Sequence, residues 1–276
     1  AARGLPDAAV RLIEGRVNVA SGSREAVQYL RLLSSARRDA LFDTELSRLP
    51  APVRESSELR WMVALHAWNT NNPTRARVEL EPLIAMAPRS GMAHLLLSYA
   101  CARDRDVPAA RALLAAPVED MDWPSLEREC EIVHLLARFD YIDRAAALAY
   151  RLYMTHQDEP KAWDCLFQLI QGHQLRTPGD ERWRLDGVTA QAAVTIRYDD
   201  GEQRQFVVEP DPELRAIDQA ALEPDQPLVA TLWGASHGHQ FEEQGRGRGE
   251  VVRVQHKYFE RVRTIGSNFE ARFYRS

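Results

Sequence analysis

The sequence predicts a multidomain protein that combines α and α+β parts. Residues 1–178 are expected to form an α-solenoid of helical hairpins, and residues 186–276 a small α+β domain with an antiparallel sheet. In the first part, apolar residues recur at spacings of three and four, as on the buried face of a helix. That period is lost in the linker, residues 179–185, which follows a Pro-Gly turn signal. From Val194 onward apolar and polar residues alternate, as in a strand with one buried face. The alternative is one helical protein with a disordered charged tail, which the alternation disfavours.

Short helices with a small residue near their start repeat along the first part. Ala76, Ala110 and Ala145 lie 34 and 35 residues apart, and the amphipathic stretches in front of them keep the same period. Small residues are expected where paired helices approach closely. Residues 6–49 are also helical in pattern but less regular in phase, so we interpret them as an additional pair or a cap.

This period resembles that of tetratricopeptide repeats. Pro88 follows the second helix of a unit as the family's end-of-repeat proline does. The family's helix-A glycine and aromatic positions hold Ala64 and Ala67, so the repeats are divergent. The resemblance implies a concave surface that holds a peptide or a partner helix. The candidate contact residues are Trp61, Trp68, His94 and Tyr99, together with Tyr150 and Tyr153; packing between repeats is the alternative role of each.

The second part contains a helix-start and chain-reversal pattern between its strands. Pro227 stands at a predicted helix start, Leu228 and Leu232 share one face, and Gly234 and Gly238 follow where the chain turns into a strand. A hairpin over 194–208 with Asp200-Gly201 at its turn precedes this pattern, and a strand over 250–258 follows it. Together these features resemble the C-terminal, FKBP-like domain of bacterial Gre transcript-cleavage factors, over about a third of the chain. The sequence departs from the family at Gln226, at Leu222-Glu223 and at His239.

The resemblance implies docking rather than cleavage. Gre factors dock on RNA polymerase through this domain and stimulate RNA cleavage through acidic residues at the tip of an N-terminal coiled coil. Here prolines interrupt the corresponding region at positions 50, 52, 73 and 88, so no long coiled-coil arm is predicted. The combination is more similar to divergent Gre-type domains attached to helical repeats, and sometimes to PIN-type ribonuclease domains, in bacterial conflict and stress systems.

These patterns lead to three functional hypotheses. The first is a non-enzymatic adaptor in a bacterial stress or defence system, which binds a protein effector through its repeats. The second is an RNA polymerase-binding transcription modulator without cleavage activity. The third is the targeting region of a longer PIN-type ribonuclease effector, since no alternating α/β region that would hold a nuclease site is present in these residues.

Composition is that of a globular protein. The 276 residues are 45% hydrophobic and 27% charged, with a net charge of −5. No apolar run approaches the roughly 20 residues that cross a bilayer, and the first residues lack a signal-sequence pattern, so we expect a cytoplasmic protein without membrane contact. Cys101, Cys130 and Cys165 lie in helical patterns and are interpreted as packed thiols.

The last 31 residues carry a local excess of positive charge, with eight basic and three acidic side chains. A basic surface formed by Arg246, Arg248, Lys257, Arg261 and Arg263 would suit RNA or an acidic protein face. A solvated strand face gives the same pattern, and we favour that structural role over nucleic-acid binding.

Catalytic and metal-binding patterns are weak. His237, His239 and His256 lack an acid or a cysteine at a familiar ligand spacing. The run Gly245-Arg-Gly-Arg-Gly249 lacks the Gly-Lys-Ser/Thr ending of a phosphate loop and is interpreted as a hairpin tip. We therefore predict no catalytic residues, no metal site and no cofactor.

Overall fold

The computed structural model describes residues 4–273 and divides the chain into two compact units. The N-terminal unit ends at Pro124 and the C-terminal unit begins at Ser125. The first is helical, and the second combines helices with a five-stranded sheet, which confirms the predicted order of a helical region followed by an α+β part. Within residues 4–273, every helix is too short or too polar to cross a bilayer.

The N-terminal unit contains eight α-helices in its described residues. They are α1 (Gly4–Ile13), α2 (Arg24–Ser35), α3 (Asp39–Arg48), α4 (Ala51–Arg54), α5 (Ser57–Asn69), α6 (Pro73–Met86), α7 (Gly91–Arg103) and α8 (Val107–Leu114). Consecutive helices pack against each other from α5 to α8. Ser56 and Ser90 cap α5 and α7, since each hydroxyl accepts a hydrogen bond from a first-turn N–H. Asn72 and Asp106 cap α6 and α8 in the same way, each with a proline in the first turn.

The 34-residue period is visible in the backbone. Arg37, Asn71, Arg105 and Asp140 adopt left-handed φ angles of 55°, 58°, 62° and 68°, at intervals of 34, 34 and 35 residues. In each case the residue that follows donates its backbone N–H to the carbonyl of the residue five positions before it, at 2.8 to 3.0 Å. This is the Schellman ending of a helix, here placed at the turn of each hairpin. The pair α2–α3 is therefore in phase with the later pairs, rather than irregular as expected.

Close helix packing surrounds the predicted small residues. Ala76, Ala110 and Ala145 are fully buried. Phe42, one period before Ala76, is also fully buried, so the first hairpin places a large ring where the later ones place a methyl group. A phenylalanine at this position departs from the small-residue pattern, so that pattern does not indicate the first hairpin.

The C-terminal unit begins with three helices, α9 (Leu126–Arg138), α10 (Ile142–Thr155) and α11 (Pro160–Arg176). The sheet follows with β1 (Ala192–Tyr198), β2 (Gln203–Val208), β3 (Ala221–Leu222), β4 (Gln240–Glu243) and β5 (Gly247–His256). Short helices α12 (Pro212–Ile217) and α13 (Pro227–Leu232) lie between strands, and α14 (Lys257–Phe273) follows β5. The strand order is β3-β2-β1-β5-β4. All pairs are antiparallel except β2 with β3, so the sheet is mixed rather than purely antiparallel.

The unit boundary differs from the linker expected at 179–185. Helix α14 leaves the sheet and packs along α11, where Trp163 contacts the rings of Phe269 and Phe273. Trp183, from the expected linker, is buried and donates from Nε1 to Asp143 Oδ1 at 3.2 Å. The helices α9–α11 therefore belong to the same compact unit as the sheet.

Candidate partner-binding groove

A groove of about 580 Å³ opens on the N-terminal unit. It lies on α2 and α5, with contributions from the end of α6 and the start of α7. Its apolar surface comes from Trp61, Met62, Leu65 and Leu83. On one side, Arg31 Nη2 and Glu58 Oε1 form a solvent-exposed ion pair at 3.0 Å. An apolar floor beside polar side chains is the usual character of a site for a protein segment.

The helical period of α5 explains why Trp61 lies in this groove. Leu59, Val63 and Ala67 are buried and hold α5 against its neighbours. Trp61 and Leu65 are one turn apart on another face and are only half-buried. A large aromatic ring that the fold does not fully cover is a candidate anchor for a partner.

A second, polar cavity of about 410 Å³ shares Ser34, Ser35 and Asn69 with the groove. His66 lies in its wall, with Nδ1 3.0 Å from Ser34 Oγ and Nε2 3.7 Å from Asp39 Oδ1. Burial lowers the pKa of His66 below its usual range, and Asp39 opposes that shift. The neutral ring stacks on Phe42 at 3.9 Å.

This Ser-His-Asp neighbourhood lacks the surroundings of a hydrolase. Ser34 lies in the last turn of α2, where helix carbonyls rather than N–H groups face outward. The nearby N–H groups of Arg37 and Arg38 already donate to the carbonyls of Ser34 and Leu33. An acyl-transfer site needs free donors for the oxyanion, so the trio is better explained as a polar contact between helices.

The other predicted contact residues do not line the groove. Trp68 is half-buried, with Tyr99 at 5.9 Å and the Arg103 guanidinium stacked 3.8 Å from its ring centroid. His94 is buried, its Nε2 lies 3.1 Å from the Pro88 carbonyl oxygen, and burial lowers its pKa. Of the four candidates, only Trp61 is in the groove.

Tyr150 and Tyr153 belong to the core of the C-terminal unit. Both are buried, and burial raises the pKa of each phenol. Tyr150 packs against Tyr258, and Tyr153 against Trp163. Their role is structural, the alternative already considered for each aromatic residue.

The helix-start and chain-reversal pattern at 227–238 has the local geometry that its residue types predict. Pro227 begins α13, and Leu228 and Leu232 are buried in the sheet core. Gly234 and Gly238 have left-handed φ angles of 76° and 83°, where glycine is favoured. The residue between Leu232 and Gly234 is Trp233, whose side chain is 51% exposed.

The five basic residues do not form one exposed surface. Lys257 is buried, with Nζ 2.9 and 2.7 Å from the two carboxylate oxygens of Glu209. Arg261 is largely buried and contacts Asp218, and Arg263 pairs with Glu260. Arg246 pairs with Glu202 at 3.0 Å and lies over the Tyr198 ring, and Arg248 is exposed in the β4–β5 hairpin. Internal pairing therefore accounts for most of the charge excess.

The histidines considered as ligands are spread over separate contacts. His237 Nδ1 lies 2.8 Å from the Val252 carbonyl oxygen, His239 is exposed, and His256 is buried beside Gln191. Within residues 4–273, no three His, Cys, Asp or Glu side chains are placed to hold a metal ion. All three cysteines are buried thiols, and Cys130 lies close enough to Cys165 for their thiols to hydrogen-bond.

Comparisons with protein-family models, with curated proteins and with solved structures find no significant match to this chain.

Proposed function

We propose that this protein is a non-enzymatic adaptor that binds a segment of a protein partner in the groove around Trp61. The single observation behind the proposal is the groove itself. It has a volume of about 580 Å³, an apolar floor and walls of packed helical hairpins. Trp61 offers a large rigid contact area, and Asn69 and Ser90 offer polar groups for a partner backbone. Placement of such an adaptor in a bacterial stress or defence system rests on the family resemblance alone.

Photo-crosslinking in the native host tests the groove directly. A photoreactive amino acid at Leu65, in the groove, should capture a specific partner, and the same amino acid at the exposed Val78, outside it, should not. Trp61→Ala should abolish the crosslink from position 65. Trp68→Ala is the matched control, because Trp68 is half-buried but lies outside the groove. Equal capture from positions 65 and 78, or no effect of Trp61→Ala, would contradict the proposal.

A second candidate function, binding to RNA polymerase without cleavage, is favoured by one specific observation. Trp233 is exposed inside the Gre-like motif, whereas Leu222 and Leu228 on either side of the preceding loop are buried and hold the domain together. Trp233→Ala should therefore remove binding to core RNA polymerase while leaving the fold intact. Unchanged polymerase binding by this variant, or failure of an authentic Gre factor to compete with the wild type, would exclude the docking mode.

A further inference from the structure

A separate cavity of about 860 Å³ opens beside α9 and α11 in the C-terminal unit. Its lining comes from the end of α9, the start of α10, the second half of α11 and the segment that follows α11 up to Arg182. The volume falls in the range of small-molecule sites, roughly 300–1,000 Å³. Neither the groove around Trp61 nor the pattern at 227–238 contributes to this cavity.

Two arginines of the lining have no carboxylate partner. Arg138 is the last residue of α9 and Arg176 the last residue of α11, and both residues are exposed. Neither forms an ion pair within residues 4–273. The carbonyl ends of helices favour nearby cations, so each guanidinium is stable there without an acid. Their N–H groups therefore remain accessible to a ligand.

The Arg176 guanidinium has a defined position on α11. Its Nε donates to the Gly172 carbonyl at 2.9 Å, and a Cβ atom added to Gly172 would lie 3.6 Å from Nη2, so the guanidinium folds back beside the glycine. Its charge reaches His134, which lies one turn before Arg138 on α9. Desolvation of the ring lowers the pKa of His134, Asp164 opposes that shift, and Arg176 adds to it. The two arginines and His134 therefore border one space.

The other charged groups of the lining have partners of their own. Asp180 Oδ2 lies 2.8 Å from His173 Nε2, and Asp180 Oδ1 accepts from the Arg182 backbone N–H at 2.9 Å. The Arg182 guanidinium lies 3.5 Å from Asp180 and 3.3 Å from Asp143. Asp140, the remaining acid of the lining, is also engaged. The uncompensated positive charge of the cavity is thus on the two unpaired arginines.

Two unpaired guanidinium groups at one cavity match a dianion better than a monoanion. A phosphate monoester carries about −1.5 to −2 charges at pH 7 and has three acceptor oxygens. A carboxylate carries one charge, and a single bidentate arginine occupies both of its oxygens. The planar fork of each arginine also fits two phosphate oxygens at once. The pair of arginines therefore selects a phosphate group over a carboxylate.

We propose that this cavity is a binding site for a phosphate monoester, held between Arg138 and Arg176. The phosphate oxygens accept hydrogen bonds from both guanidinium groups. The organic part of the ligand contacts Leu175, an apolar residue of the lining that is 79% exposed. This inference is independent of the adaptor function.

Calorimetric titration of the full chain with phenyl phosphate and with benzenesulfonate, at about pH 7.5, tests the charge requirement. Both probes place a tetrahedral anion on a phenyl ring, but the phosphate is mostly a dianion and the sulfonate a monoanion. Phenyl phosphate should bind with a Kd of about 1 mM, and benzenesulfonate about tenfold more weakly. Absence of phenyl phosphate binding at about 10 mM, or equal affinity for the two probes, would overturn the proposal.

Substitution of the arginines locates the binding. Arg138→Gln and Arg176→Gln should each weaken phenyl phosphate binding about tenfold, because each removes hydrogen bonds to a charged group. Arg253→Gln is the matched control, since Arg253 is also exposed and without an ion pair in residues 4–273 but lies outside the lining. It changes the net charge equally and should leave the affinity unchanged. Equal weakening in all three variants, or unchanged affinity in Arg176→Gln, would refute the site.

A peptide probe separates two sources of the phosphate group. An acetylated and amidated pentapeptide with phosphoserine between alanines presents the same group on a polypeptide. Tighter binding of this peptide than of phenyl phosphate would identify a phosphorylated protein segment as the ligand, and weaker binding a small phosphate ester. In both cases Arg138→Gln and Arg176→Gln should weaken the tighter probe, and failure of both variants to do so would contradict the assignment.

Discussion

At the scale of single residues, the junction between β5 and α14 contains a buried lysine. Lys257, the first residue of α14, is 5% exposed, and its ammonium lies 4.2 Å from the Tyr150 ring centroid as well as beside Glu209. Burial lowers the pKa of Lys257, and the hydrogen bonds that its ammonium donates to Glu209 oppose that shift. Glu209 is 48 residues away in sequence, so the local charge pattern predicts a basic surface residue at Lys257. Only the tertiary fold identifies it as one half of a buried ion pair.

The adjacent His256 should make stability depend on pH. Its Nε2 lies 3.1 Å from Gln191 Oε1 and its Nδ1 accepts from the Tyr258 N–H, so the neutral ring is satisfied. Burial, and then the charge of Lys257, lower the pKa of His256 to about 4. The unfolded chain takes up a proton near pH 6.5, while the folded chain does not. This stabilisation is therefore complete above about pH 6.5 and is lost as the pH falls toward 4.

The expected loss from His256 between pH 7.5 and pH 5 is about 2 kcal/mol of unfolding free energy. Urea denaturation of the wild type and of His256→Gln at both pH values measures it, because the variant removes this contribution and keeps the other titrating groups. The variant should lose less stability than the wild type on acidification. Parallel loss in the two proteins would show that His256 does not titrate with a lowered pKa.

At the scale of elements, α13 is fixed by a close approach of two backbone segments. The Gly234 N–H donates to the Val188 carbonyl at 2.8 Å, and the Val188 N–H donates to the Ala235 carbonyl at 3.0 Å. A Cβ atom added to Gly187 would lie 2.4 Å from the Gly234 carbonyl oxygen. Backbone atoms cannot move aside as a flexible side chain can, so glycine is required here.

Gly187→Ala should therefore destabilise the protein by about 1–3 kcal/mol through overpacking. Gly266→Ala is the matched control, since it lies inside α14 and its added methyl would meet only Phe167, at 4.0 Å. Helix propensity alone predicts a gain of about 1 kcal/mol for that control. Urea denaturation midpoints of the two variants should move in opposite directions. A neutral Gly187→Ala would mean that the two segments are not held this closely.

How much could be predicted from the sequence differs between elements. The hairpin at Asp200-Gly201, the helix start at Pro227 and the hairpin tip in Gly245-Arg-Gly-Arg-Gly249 follow from local residue preferences, and the structure confirms them. The last strand was expected to reach Tyr258, but β5 ends at His256 because Lys257 and Tyr258 turn into the buried start of α14. Strand β2 also pairs with the two-residue strand β3. This pairing is parallel and joins residues 14 positions apart in sequence, so no short-range pattern indicates it.

The groove was predictable only in part. The repeat period implies a concave surface, and Trp61 is among the candidates, but Trp68 and Tyr99 are also aromatic residues within predicted helices. Which aromatic ring is covered depends on the neighbouring helices rather than on the helix that carries it.

At the scale of the whole molecule, the compact units do not follow the change from helical to strand periodicity. Periodicity reports local backbone conformation, whereas a unit is defined by which elements bury each other's apolar faces. Trp163 of α11 packs on Phe269 and Phe273 of α14, and Tyr150 of α10 packs on Tyr258. The three helices before the sheet are thus needed to cover the helix after it.

Fragments that begin on either side of α9–α11 should therefore behave differently. Residues 125–276 should fold and unfold cooperatively in urea, because the fragment keeps every contact of the C-terminal unit. Residues 179–276 should not, since removal of α9–α11 uncovers Phe269 and Phe273 and deprives the Lys257–Glu209 pair of the Tyr150 ring that covers it. Loss of one large apolar contact in a core costs about 2–5 kcal/mol, and several are lost together, against a total stability of about 5–15 kcal/mol.

Circular dichroism and urea denaturation of both fragments measure the difference, with residues 1–124 as a control for general effects of truncation. Equal cooperativity and equal stability of the two C-terminal fragments would show that the sheet and α14 fold without the preceding helices, and that the boundary at 179–185 is the physical one.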